Sequence, residues 1–177
     1  MHEHMTQTLR DVAIRSYRPS DHSACRRLWA ELTEHHRGLY GDPNYGGRDP
    51  GAGFEEYLTQ LNLSGMWVAD HDEEGPVGFV GLMLDGREGQ VEPVVVTATM
   101  RGRGIGRALL GKVADEAHRR GLSRLTVSPS VRDVSALHML HAAGFGTIAT
   151  VTLSLPVAGA GGGDRGQLDL YDLRFSV

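Results

Sequence analysis

The chain is short of the residues that staple, anchor or steer a protein. Cys25 is the only cysteine among 177 residues, which excludes an intramolecular disulfide and a cysteine-rich metal site. Lysine is almost missing: Lys112 stands alone among 18 basic residues, and the others are arginines. Those arginines are scattered, with doublets only at Arg26-Arg27 and Arg119-Arg120, and the net charge is −4. Proteins that bind nucleic acid by neutralising phosphates carry a basic patch, so that class is disfavoured. No apolar run approaches the ~18 residues of a membrane helix, so no membrane partner is expected. The opening Met-His-Glu-His-Met lacks the basic-then-apolar order of a signal peptide, and a cytoplasmic protein is expected.

What remains is an ordinary globular composition, 40% hydrophobic and 23% charged. The length suits a single domain over residues 1–177, with residues 1–10 expected to be a flexible tail. Periodicity and breakers divide the chain into alternating elements. Strands are expected at Val12–Tyr17, Met66–Asp70, Val77–Leu84, Val91–Val96, Leu122–Val127, Phe145–Leu155 and Leu168–Phe175. Helices are expected at Asp21–Arg37, Phe54–Leu63, Gly104–Arg120 and Asp133–Ala143, and residues 38–53 and 156–167 read as loops. The sum is an α/β chain with one mixed sheet of about six to seven strands flanked by about four helices, with early hairpins and a late β-α-β crossover.

One stretch carries chemistry. The β-branched strand Val91–Val96 leads into Arg101-Gly102-Arg103-Gly104-Ile105-Gly106-Arg107 and then directly into an amphipathic helix. Glycines let backbone N–H groups approach a ligand closely, and the helix start adds unpaired donors and positive dipole. Such a site suits a phosphate or pyrophosphate. The Walker loop is excluded because no Gly-Lys-Ser/Thr follows. The dinucleotide fingerprint fails because Leu109 or Arg107 falls where its third glycine belongs.

The pattern that fits is R/Q-x-x-G-x-G/A at Arg101–Gly106. With the preceding strand, the strand Leu122–Val127 and the run Asp133–Phe145, it resembles the GNAT superfamily of acyl-CoA-dependent N-acyltransferases over roughly Val91–Phe145. The resemblance implies acetyl-CoA as co-substrate and no metal. It gives Val94, Val95 and Val96 to the pantetheine arm, and Arg101, Gly102, Arg103, Gly104, Ile105, Gly106 and Arg107 to the pyrophosphate. Asp133 stands where the family has an asparagine, and is expected beside the cofactor. Leu140 stands where a tyrosine commonly protonates the departing thiolate.

The chemistry also has to take a proton from the amine. At pH 7 deprotonating a lysine-like ammonium costs ~4.6 kcal/mol, so a base or a water relay is useful. Strand alternation puts Glu92 on the face of Val94 and Val96, and the resemblance implies a glutamate base on this strand. The alternative for Glu92 is a carboxylate that solvates the strand's start. Tyr40 and Tyr45, in the 38–53 loop, are expected to contact the acceptor, while His35-His36 reads as a solvated helix end. Cys25 lies on an apolar helix stripe and reads as core. The expected activity is acetyl transfer by direct attack to a primary amine of a small molecule or peptide, in a monomer or homodimer. The alternative is an acyl-CoA-binding sensor without turnover.

Overall fold

The computed structural model describes residues 11–61, 65–155 and 166–177. β1 (Val12–Ser16), β2 (Met66–His71), β3 (Gly75–Asp85) and β4 (Glu88–Val96) pair antiparallel in chain order, and β5 (Arg124–Thr126) adds parallel to β4. The tight β3–β4 hairpin turns at Gly86-Arg87, with Gly86 at φ 57°, the left-handed conformation that two-residue hairpin loops need. The parallel β5 can be reached only by a crossover, and α3 (Ile105–Arg119) supplies it.

Both faces of the sheet are covered. On one, Trp67, Val80, Leu82 and Val91 pack with Ile105, Leu109, Leu110 and Val113 of α3 and with Leu140 of α4 (Val134–Ala142). On the other, Val68, Phe79 and Val95 pack with Cys25 and Leu28 of α1 (His22–Tyr40) and with Phe54 and Tyr57 of α2 (Gly53–Gln60). Cys25 is fully buried, and burial pushes its thiol up to about 12, which keeps it protonated and inert. Arg15 ties β1 to the start of α1 through Asp21 at 2.7 Å, and to Asp70 of β2 at the same distance. Arg15 holds the Asp21 carboxyl below its ordinary range.

Three elements depart from the sequence reading. α1 runs through Tyr40 and ends on Gly41 at φ 64°, whose N–H returns to the Arg37 carbonyl, so Tyr40 sits in a helix rather than a loop. Phe145–Leu155 is not a strand. Its alternating apolar residues find no partner edge, and Ile148 and Leu155 stand 73% and 83% exposed. The expected last strand is instead a hairpin of β6 (Gln167–Leu170) and β7 (Leu173–Ser176), a separate two-stranded sheet. It turns at Tyr171 and Asp172, both at positive φ, so one apparent run folds back on itself. Among the described residues the strands are therefore split five and two. The expected tail at 1–10 and the bulk of the 156–167 loop lie outside the described residues.

Candidate active site

The site begins with an irregularity in β4. Val94 pairs with Val80 and Val91 with Leu82, so Glu92 and Pro93 together oppose Gly81 in a β-bulge. The Tyr57 hydroxyl donates to the Glu92 carbonyl oxygen at 2.6 Å. Gly81 must be glycine because a Cβ there would overlap that hydroxyl and lie 2.5 Å from the Glu92 carbonyl oxygen. The bulge corrects the expected facing of Glu92. One extra residue breaks the alternation, so Val91 and Val94 both pack towards α3. Glu92 points with Gln90, whose amide donates to its carboxylate at 3.0 Å, towards the α1–α2 side that Val95 and Met83 also face.

Just before the bulge β4 loses a neighbour. Its pairing with β5 runs from Glu88↔Arg124 to Gln90↔Thr126 and stops. From Val91 to Val96 that edge of β4 has no strand partner among the described residues. The chain then passes through a 3-10 turn at Ala98–Met100 into the glycine loop. Gly102 and Gly104 take φ of 74° and 86°, a left-handed conformation costly for other residues. The N–H groups of Gly102, Arg103 and Gly104 make no backbone hydrogen bond among the described residues, and those of Ile105, Gly106 and Arg107 open α3 without a side-chain cap. Gly106 packs close to Met139 of α4 and Val96 of β4, and Arg101 donates through Nε to the Val96 carbonyl at 3.0 Å. The open edge, the loop and the helix start thus adjoin one another.

The opposite wall comes from α1. Glu31 accepts from Thr97 Oγ1 at 2.9 Å and from the Ala98 N–H at 3.0 Å, fastening α1 to the end of β4. One turn later, His35 Nε2 lies 2.7 Å from Asp133 Oδ2, across 98 residues of sequence. Asp133 is the N-cap of α4, with Oδ1 accepting the Ala136 N–H at 3.0 Å. Burial alone would raise the Asp133 carboxyl, but the Ala136 N–H and His35 outweigh it and hold it below its ordinary range. His36, beside it, is pushed down by burial and by His35.

The rings of His36, Tyr40 and Tyr45 form a cluster with centroids 5.2 to 5.7 Å apart. Burial, then the charges of Tyr40 and Glu92, raise the Tyr45 phenol. The loop carrying Tyr45 is tied down. Arg37 donates to the carbonyls of Tyr45 at 2.9 Å and Gly47 at 2.6 Å, Thr33 donates to the Pro50 carbonyl at 2.8 Å, and Arg26 pairs with Asp49.

Sequence reasoning passed over Glu31 and took His35 for a solvated helix end, although a signal was present. They continue the inward stripe of Cys25, Leu28 and Leu32 at helical spacing, and a polar residue on such a stripe needs a partner. Leu140 is 5% exposed within the core, while His138 and His141 are exposed on α4.

This geometry can be set beside known proteins. The model of the acetyltransferase (GNAT) family matches residues 26–145, and the chain belongs to that family. Among solved structures the chain is similar to a GNAT-family acetyltransferase from Staphylococcus aureus, with TM-score 0.62, 20% identity, and 75% of this chain and 83% of that one covered. It is also similar to AAC(6')-Iy, solved in complex with the bisubstrate analog CoA-S-monomethyl-acetylneamine, with TM-score 0.58, 15% identity, and 83% and 99% covered. A third is the ribosomal-protein-S18-alanine N-acetyltransferase of Escherichia coli, with TM-score 0.56, 15% identity, and 75% and 76% covered. At these identities the likeness is one of fold. No curated protein matches in sequence.

Proposed function

We propose that the chain transfers an acetyl group from acetyl-CoA to a primary amine of a small molecule or peptide, by direct attack of the amine on the thioester. One observation carries the reading: among the described residues the edge of Val91–Val96 has no strand partner, and one turn later come a loop and helix start whose N–H groups are unclaimed. An extended amide-bearing arm fits the edge by strand-like hydrogen bonding, and a pyrophosphate fits the donors of Gly102–Arg107. Val94, Val95 and Val96 therefore hold the pantetheine arm, and Arg101, Arg103 and Arg107 surround the pyrophosphate with positive charge.

Tyr40 and Tyr45 line the acceptor side, and Glu92 takes the ammonium proton. The exposed Glu92 carboxylate lies on the face that α1, α2 and the tyrosines share, which suits contact with the acceptor. Cys25 is buried and protonated, so the reaction has no thiol intermediate on it.

The burial of Leu140 favours a second reading, a sensor that binds acyl-CoA without turnover, because no acid stands at that position. A panel of primary amines with acetyl-CoA, followed by release of free thiol, separates the two. Amine-dependent thiol release establishes the enzyme. Tight CoA binding without release establishes the sensor.

A further inference from the structure

The chain departs from its family at two positions, Asp133 and Leu140, and the structure pairs one of them with a residue the family pattern does not mention. We propose that His35, oriented by Asp133, carries the proton to the departing sulfur. This rests on the acetyl-transfer reading above and gives that site its missing acid.

Leu140 lies in the core with Ile105 and Leu109, so α4 presents nothing titratable at that point. His35 is placed differently. The preceding turn of its helix is fastened by Glu31 to Thr97 and Ala98, directly after the open edge of β4. Its own ring meets the first residue of the α4 cap, and α4 packs through Met139 on Gly106 at the helix start. His35 therefore bridges the two elements that flank the opening between β4 and β5. Its side chain is 32% exposed, open enough to exchange a proton, while Asp133 is 15% exposed.

The dyad is also chemically poised. Both oxygens of Asp133 are engaged, one by Ala136 and one by His35, which fixes the carboxylate plane. An anionic Asp133 makes Nε2 the proton-bearing nitrogen and leaves Nδ1, which has no hydrogen bond among the described residues, as the exchanging one. An asparagine at position 133 could cap α4 equally well but could not stabilise an imidazolium. The groups around His35 are few. On its own helix are Glu31, already bound to Thr97 and Ala98, and His36, which burial disfavours as a cation; on α4 is Asp133. Beyond His36 lie Tyr40 and Tyr45, with Glu92 past them.

The protons balance. An ammonium acceptor loses two as its amide forms. One leaves to solvent through Glu92. The other passes from the attacking nitrogen to His35 Nδ1 and on to sulfur as the carbon–sulfur bond breaks. The nitrogen lone pair becomes the new carbon–nitrogen bond, the old bonding pair stays on sulfur, and the imidazole ends as it began.

The test uses two variants, His35→Gln and Asp133→Asn, with an N-terminal alanyl peptide and neamine as acceptors. In the free wild-type protein, NMR of the His35 ring nitrogens should find the proton on Nε2, and in Asp133→Asn on Nδ1, because the amide keeps its oxygen on the Ala136 N–H and turns its NH2 to the ring. His35→Gln should lower kcat by ~10²-fold and remove one limb of the pH–rate profile, with the CoA dissociation constant within twofold of wild type. Asp133→Asn should lower kcat less, by about tenfold, through a weakened imidazolium. Wild-type kcat and an unaltered pH profile in folded His35→Gln would overturn the inference and leave the acetyltransferase reading standing. A fall confined to CoA affinity, or a ring tautomer indifferent to Asp133→Asn, overturns it equally. Failure of the wild type to release thiol with any amine of the panel overturns both.

Discussion

The two walls of the cleft are built in opposite ways. The wall assigned to the cofactor is one continuous stretch, from Val91 through Arg107, and it works through its backbone: an unpaired strand edge, two left-handed glycines and the first N–H groups of a helix. The wall assigned to the acceptor is gathered from α1, the loop after it, the β4 bulge and the α4 cap, and it works through side chains. A phosphate is the same anion in every member of a family, so backbone donors serve it. An amine's surroundings differ from one acceptor to another, and side chains supply the variation.

That contrast sets the expected sizes of effect. Gly104→Asp should abolish CoA binding, since it brings a negative charge and a side chain to the donors of the loop. The fold should remain, because Asp is among the residues that tolerate left-handed backbone. Isothermal calorimetry showing wild-type CoA affinity would remove the cofactor wall from the argument. Next comes Glu92→Gln, expected to lower kcat by ~10²-fold with CoA affinity intact. Its deficit should shrink as pH rises, because more of the acceptor is already deprotonated and the base matters less. A pH-independent deficit would reduce Glu92 to a polar residue at a bulge.

Leu140→Tyr should act on stability rather than catalysis. The ring overpacks the cluster around Ile105 and Leu109, costing about 1–3 kcal/mol, and thermal unfolding with kcat on the same variant would read both effects. A faster enzyme of undiminished stability would place Leu140 in the cleft. The smallest effect should follow Arg37→Ala, which frees the carbonyls of Tyr45 and Gly47. A loss of about 1 kcal/mol in loop anchoring predicts a several-fold higher KM for the amine, with the CoA dissociation constant unchanged. Equal changes in both constants would show that the two walls are not separable.

The same division explains what could be read in the chain before folding. The glycine loop and its flanking strand and helix were legible because their signal is local: β-branched residues, then glycines, then an amphipathic repeat. The bulge at Glu92-Pro93 was half legible. Pro93 has no N–H to give a ladder and so signals an interruption, but not the added residue that turns Glu92 towards α1. His35 read as a solvated helix end because its partner is Asp133, and no local pattern connects residues so far apart. The stretch 145–155 misled in the other direction. Alternation there satisfies the period of a strand, yet a strand also needs an edge to pair with, and none of the described strands supplies one.

The sequence by itself determined the succession of elements from β1 to α4, the two apolar helix faces and the place of the glycine loop, since backbone sterics and burial act between near neighbours. Only the tertiary structure decided the face on which Glu92 stands, the burial of Leu140 and the meeting of His35 with Asp133. Those depend on sheet register and on how helices from opposite faces meet at one opening, and such contacts exist only once the whole chain has packed.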